Sequence, residues 1–242
     1  MFPSFRSASA CASIVLGAAV VAATPAFAQS GTASVIIVHG LSGGDLQQPA
    51  ELPVDISVDG ACALTRVTYR TIVGPLSIPA GTRSIAVHYP ATGSCSSAAA
   101  IGPAAVPFNA GESATIIAHV GANGAPTASK FANNFSATPA GRARVAVHHT
   151  ANAPAVDTYL TRNFGNAAST IALTTGLVPS EQTIVPIPGE HQQLAITAAG
   201  TSTAVFGPAG LGLSAGNVYS LYVVGSLTNR TLDVIADVRA AQ

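Results

Sequence analysis

Tryptophan is missing from this chain, lysine occurs once (Lys130), and charged side chains make up only 8% of the 242 residues. Ten basic residues balance ten acidic ones, so no cationic surface exists to neutralise a run of phosphates or grip an anionic membrane. Nucleic acid is therefore excluded as a partner class. Beyond the N-terminus no apolar run approaches the ~20 residues of a membrane-spanning helix. Eight Phe and five Tyr are too few for the aromatic girdles of a transmembrane barrel. No C-x-x-C spacing or His–Cys cluster occurs, so no metal and no cofactor are expected.

What is present begins with Met1–Ala28, which reads as a secretory signal peptide. Arg6 supplies a thin positive region, Ile14–Ala23 a short apolar run, and Ala26-Phe27-Ala28 an A-x-A site predicting cleavage before Gln29. Cleavage removes Arg6 and Cys11, leaving nine basic against ten acidic residues, a net charge of −1. The expected destination is the periplasm or the extracellular space. Two cysteines remain there, Cys62 and Cys95, and an oxidising compartment allows them one pairing. A disulfide closing that loop restricts the unfolded chain by about 3.5–4 kcal/mol in the simple entropy model.

The rest of the sequence is used twice. Gly102-Pro103-Ala104 returns as Gly207-Pro208-Ala209, and Ala110-Gly111 as Ala215-Gly216. After each comes an apolar strand ending in glycine, SATIIAHVG to Gly121 and VYSLYVVG to Gly225. Upstream, Ile78–Tyr89 corresponds to Ile187–Thr197. Repetition at this length marks a structural unit used twice, with domains at 29–138 and 139–242.

Within each copy the hydrophobic period is two. Val54, Ile56 and Val58 alternate with Asp55, Ser57 and Asp59, and Leu232, Val234, Ala236 and Val238 alternate with Asp233 and Asp237. Ser34–Gly40, Ser84–Tyr89, Val156–Leu160, Thr183–Ile187 and Val218–Val224 are further strands, broken by Gly, Pro, Asn and Ser. SKFANNF (Ser129–Phe135) is placed as a last strand of the first copy, and Ser96–Ala100 as a helical turn. The predicted fold class is all-β: two tandem antiparallel β-sandwiches, immunoglobulin-like or transthyretin-like, after a cleaved signal peptide.

ATPAGRARVAVHHTANAPAVDTYL (Ala137–Leu160), with its Ala-Gly entry, strand ending in Val-His and Ala-Pro-Ala-Val-Asp opening the next strand, resembles domain-of-unknown-function family 4397. IPAGT (Ile78–Thr82) and LSAGNVYSLYVVG (Leu213–Gly225) fit the same pattern. The resemblance runs over essentially all of the chain after the leader, best in the second copy. It implies bacterial secreted tandem β-sandwich modules with no established catalysis and no active-site residues to carry over.

Two motifs imitate catalysis. Gly40-Leu41-Ser42-Gly43-Gly44 and Gly212-Leu213-Ser214-Ala215-Gly216 match the G-x-S-x-G elbow, which needs a strand-to-helix turn and a later histidine. No histidine follows Ser214, and no βαβ alternation surrounds Ser42. The enzyme reading, a secreted serine hydrolase, is therefore the alternative, and the chain is expected not to be an enzyme. His39 and His148 stand at equivalent strand ends, and Asp55 and Asp157 open the following strands. These four are the binding candidates, weighed against the plainer role of satisfying turn backbone. His88, His119 and His191 read as ordinary strand or turn residues. The long connections Gly40–Leu52 and Thr92–Pro107 are weighed as binding surfaces against tolerated surface excursions, the reading that their small residues favour. The expected function is an exported, non-enzymatic interaction module for an envelope protein or glycan, with self-association through sheet edges as a further possibility.

Overall fold

The computed structural model describes residues 30–164 and 167–242; the segment 1–28 read as a signal peptide lies outside these. The first half contributes strands β1 (Thr32–His39), β2 (Val54–Val58), β3 (Ala61–Val67), β4 (Ile72–Pro79), β5 (Gly81–His88), β6 (Ala99–Phe108), β7 (Ser113–Val120) and β8 (Pro126–Ala132). The second contributes β9 (Arg142–His149), β10 (Val156–Phe164), β11 (Ala167–Leu177), β12 (Gln182–Pro188), β13 (His191–Ala198), β14 (Ala204–Gly212), β15 (Asn217–Val224) and β16 (Asp233–Ala240). Four open four-stranded sheets result, ordered β4-β1-β7-β8, β3-β2-β5-β6, β12-β9-β15-β16 and β11-β10-β13-β14. Each half is a sandwich of two sheets, as its alternating pattern predicts. Among the described residues no helix is long and apolar enough to cross a membrane.

One departure from a purely antiparallel sandwich occurs in each half: β1 runs parallel to β7, and β9 parallel to β15. These four strands also read differently in sequence, as near-continuous apolar runs. The reason is that both of their faces are covered. Val35 and Ile37 of β1 enter the first core, whereas Ile36 and Val38 pack with Ile117, Phe131, Tyr222, Val224 and Ile235 in a separate cluster. That cluster joins the inner sheets of the two halves face to face, giving four stacked layers. Fully burying a side chain of this size contributes about 1.5–3 kcal/mol, so the joint is comparable to a small core. Polar contacts ring it: Arg70 and Tyr69 meet Asp233 at 2.6 and 3.2 Å, and the Asn229 amide donates to Asp45 at 3.1 Å. At Gly40 a β-carbon would stand 2.8 Å from Val224 of the opposite half, so only glycine lets the strands approach there.

Two local expectations are corrected. Thr92–Pro107 is not one loop, because Ala99–Phe108 forms β6, and Ser96–Ala100 makes no helical turn. Pro103 and Pro107 disguise this strand, yet an edge strand needs hydrogen bonds on one side only. Of the eight edge strands, five carry proline (β4, β6, β8, β12 and β14), which blunts edge-to-edge pairing on most sides of the molecule.

Candidate functional site

In the Val-Asp pairs that open β2 and β10, Val54 and Val156 enter the cores, and each neighbouring carboxylate, on the opposite face of its strand, gathers backbone amides. Asp55 accepts the N–H groups of Arg66, Thr92 and Gly93, each at 2.8 Å, and that of Cys95 at 3.3 Å. Asp157 accepts Gly176 N–H at 2.7 Å, Gly200 N–H at 2.9 Å and the Tyr159 hydroxyl at 3.3 Å. Arg66 and Gly176 are left-handed (φ 53° and 67°) and lie where the neighbouring edge strand slips register. Each aspartate thus pins a β-bulge. Burial pushes the Asp55 carboxyl up, but its amide donors outweigh that and hold it below the ordinary carboxylate range. For Asp157 the Gly200 and Gly176 amides lead the same downward shift.

The histidines are correspondingly occupied. His39 Nε2 donates to Leu52 O at 2.8 Å and Nδ1 accepts from Leu41 N–H at 3.2 Å, the neutral tautomer that this pair of partners assigns. Burial lowers its pKa. Its true counterpart is His149, not His148: both bond through the main chain to equivalent turn residues, His39 to Thr71 and Arg70, His149 to Glu181 and Ser180. The sequence equivalence was one residue out, because the Val-His ending of the first copy is matched by His-His in the second. His148 takes the position of Val38 and points into the joint between halves. Its ring stacks on Tyr222 at 4.5 Å and meets Phe131 edge-on at 4.8 Å, and neither nitrogen has a hydrogen-bond partner among the described residues. Burial pushes its pKa down to about 3, so it is a neutral, essentially aromatic spacer. No hydrogen bond or ion pair among the described residues joins His39 to Asp55 or His148 to Asp157.

Cys62 and Cys95 form the expected disulfide, with Cα atoms 5.4 Å apart. Asp55 lies close enough to both sulfurs to suggest a three-ligand metal group, but sulfurs bonded to each other offer no thiolate and the carboxylate is already filled by amides. Ser42 caps a four-residue 3-10 helix (Gly43–Leu46) without a side-chain hydrogen bond, and Ser214 precedes strand β15. One turn of 3-10 helix follows Ser42 and a strand follows Ser214, so neither stands where a strand turns into the α-helix that hydrolases require. Two Ser–His pairs that do form were missed in the sequence: Ser57 Oγ donates to His88 Nε2 at 2.8 Å while His88 Nδ1 donates to Ser97 O at 2.8 Å, and Ser129 Oγ lies 2.9 Å from His119 Nε2 while His119 Nδ1 meets Val120 O at 3.1 Å. In each the third member is a carbonyl rather than a carboxylate, and Ser57 is 6% exposed.

A hollow of about 380 Å3 lies between the halves beside His119, Asn123 and Ser180, and a more apolar concave feature lies inside the first sandwich. Edge strands β6 and β8 belong to different sheets and leave a cleft of about 370 Å3 between them. Ile37, Ile56, Ile85, Ile101 and Ile116 line it, together with Ala118 and Ala128, while Thr127, Ser129 and Lys130 come from the β8 margin. A smaller hollow of about 190 Å3 shares Val87, Ala100 and Pro126 with it and is closed by Leu41, Leu46 and Leu52 of the connection after β1. Thus the connection read as a plain surface loop supplies apolar walls. It is fastened by Tyr89 OH donating to Gln48 at 2.7 Å. At the mouth Lys130 pairs with Glu112 at 2.7 Å and lies 4.7 Å from the Phe108 ring centre, so the chain's single lysine carries no free charge into the cleft.

A family model described as a domain of unknown function (DUF4397) matches residues 33–159, just over half of the sequence. The chain belongs to this family. The match covers β1 to the start of β10, so it falls mainly on the first copy rather than the second. Among solved structures, the C-terminal domain of AlgF from P. aeruginosa is 21% identical, covering 41% of this chain and 99% of that one at a TM-score of 0.30. A proposed cell adhesion protein from Bacteroides uniformis is 11% identical over 91% and 100% of the two chains (TM-score 0.29), and one from Bacteroides ovatus 10% identical over 88% and 98% (TM-score 0.28). No curated protein matches the sequence.

In this DUF4397 chain the cleft had a legible signal, namely small residues in the first copy where the second has large ones. Ala118 lies beside His39 as Val223 lies beside His149. Ala128 faces Ala118 as Val234 faces Val223, and Ile101 faces Val87 as Phe206 faces Ile196.

Proposed function

We propose that this chain is an exported, non-catalytic binding module of two stacked β-sandwiches, acting at or beyond the cell envelope on an envelope protein, a glycan or a smaller ligand. The observation that carries the reading is the division of labour in the first half. Asp55 and His39 are spent on backbone amides and carbonyls, and the cleft of that sandwich is walled mainly by aliphatic side chains, the usual character of a binding site rather than of a hydrolytic one. The disulfide and the leader-like N-terminus support export.

Treatment of the purified protein with a fluorophosphonate probe tests the non-catalytic half. No labelling is expected; stoichiometric labelling abolished by Ser42→Ala, Ser57→Ala or Ser214→Ala would establish a hydrolase instead. Mass spectrometry of the protein from fractionated cells tests export. A chain beginning at Gln29 in the envelope or medium is expected, and an uncleaved cytoplasmic chain would refute it.

A further inference from the structure

Resting on the binding-module reading, we infer that the cleft of the first sandwich, continued beneath residues 40–53, is a binding site for a linear aliphatic chain. Shape comes first. Two hollows lie side by side and share Val87, Ala100 and Pro126 as wall residues, and a combined size of several hundred Å3 suits a small ligand. Chemistry narrows the occupant. The larger hollow is walled mainly by isoleucine, valine and alanine, its polar Thr127, Ser129 and Lys130 confined to the β8 margin, and the smaller adds a single ring, Tyr89, whose hydroxyl is taken by Gln48, whereas sugars and planar ligands call for stacking platforms and fans of hydrogen bonds. The lysine at its mouth is neutralised by Glu112, so a charged head group has no unpaired partner there. An inserted peptide strand is disfavoured as well: Pro103 and Pro107 on one margin and Pro126 on the other lack the N–H groups that strand addition uses.

The second sandwich supplies the control. Phe206, Val223 and Val234 occupy the places of Ile101, Ala118 and Ala128, and the connection after β9 runs only from Thr150 to Ala155, against Gly40 to Pro53 after β1. One topology is thus filled in one copy and hollowed in the other, at positions where larger aliphatic residues are structurally tolerated.

Decanol titrated into the purified, isoleucine-methyl-labelled protein tests this by NMR. Saturable shifts are expected at Ile37, Ile56, Ile85, Ile101 and Ile116, with Ile184 and Ile235 of the other half unmoved. The Ala118→Val/Ala128→Val double variant, which installs the second copy's side chains, is expected to weaken binding roughly tenfold or more without lowering the unfolding temperature. Absence of shifts at the solubility limit overturns the assignment, as do equal shifts in both halves or undiminished binding by a folded double variant. Any of these would leave the non-catalytic module standing, since that reading falls to fluorophosphonate labelling instead.

Discussion

The two sandwiches share strand order, bulges and aspartate pins, and they differ in what holds them together. The second relies on packing: Val223 is fully buried, Phe206 and Val234 press on the same core, and no disulfide is present among its described residues. In the first, alanines replace those valines, a cleft results, and Cys62 stands where the second has Ala172. Its Asp55 also gathers four amides where Asp157 gathers two. A cross-link stabilises chiefly by restricting the unfolded chain, so its effect does not depend on how well the core is filled. Covalent and polar fastening on the outer sheet therefore compensates for space kept open inside.

Breaking the fastenings gives the largest expected effect. Cys62→Ser with Cys95→Ser should lower the free energy of unfolding by about 3.5–4 kcal/mol, read from denaturant midpoints and slopes, while Ala172→Ser costs little. A loss below about 1 kcal/mol would mean that the disulfide is dispensable and the compensation argument wrong. Next, Asp55→Ala should cost about 3 kcal/mol and Asp157→Ala about 2, because each strands the amides it held at roughly 1–3 kcal/mol for a fully buried group. If Asp157→Ala proved the more costly, the difference drawn between the two pins would collapse.

Packing can then be exchanged between the copies. Val223→Ala and Val234→Ala should each destabilise by about 2 kcal/mol through lost transfer energy and cavity formation, measured in the same unfolding series. Together they should give the second sandwich a decanol response at its own methyl groups. Unchanged stability would show that its core collapses freely and that the alanines of the first copy do not explain the cleft.

How much of this could be read from the residues follows the same physical lines. Strands with one wet face and one dry face announce themselves by alternation, as in Val54–Asp59, and the doubly buried β1, β7, β9 and β15 by continuous apolar runs. The strands that escaped, β3, β4, β6, β11 and β14, are all sheet edges, where one hydrogen-bonding side suffices and Pro, Gly and Ser are tolerated. The disulfide was forced by a count of two. The aspartates' partners were not legible, because amides from two separate segments converge on each carboxylate only in the fold, Arg66 and Thr92–Cys95 on Asp55 and Gly176 and Gly200 on Asp157. The cleft and the Ser57–His88 pair needed the register, since His88 stands opposite Asp55 and Ser57 opposite Ala86 across the same strand pair. Histidine equivalence failed by one residue because sequence alone did not say which His of His148-His149 ends the strand.

That last residue distinguishes the copies at the joint itself, where the first presents Val38 and the second His148. The His148 imidazole has its pKa pushed down from 6.5 to about 3 by burial, so the folded protein leaves it neutral while the unfolded chain protonates it below about pH 6.5. Unfolding then takes up a proton, and stability is lost as pH falls from about 6.5 toward 3, with no contribution from this group above that window. At pH 5 the loss attributable to His148 is about 2 kcal/mol. His39, His119 and His149, lowered in the same direction by burial, steepen the same limb. His148→Val copies the first half's residue, and the informative quantity is the difference in stability between pH 7 and pH 5, because the cavity that valine leaves beside Phe131 and Tyr222 shifts both values alike. That difference should shrink by about 2 kcal/mol. If it stays unchanged, His148 is already protonated or hydrated in the folded protein, and the joint between the sandwiches is not the dry, stacked contact from which its neutrality follows.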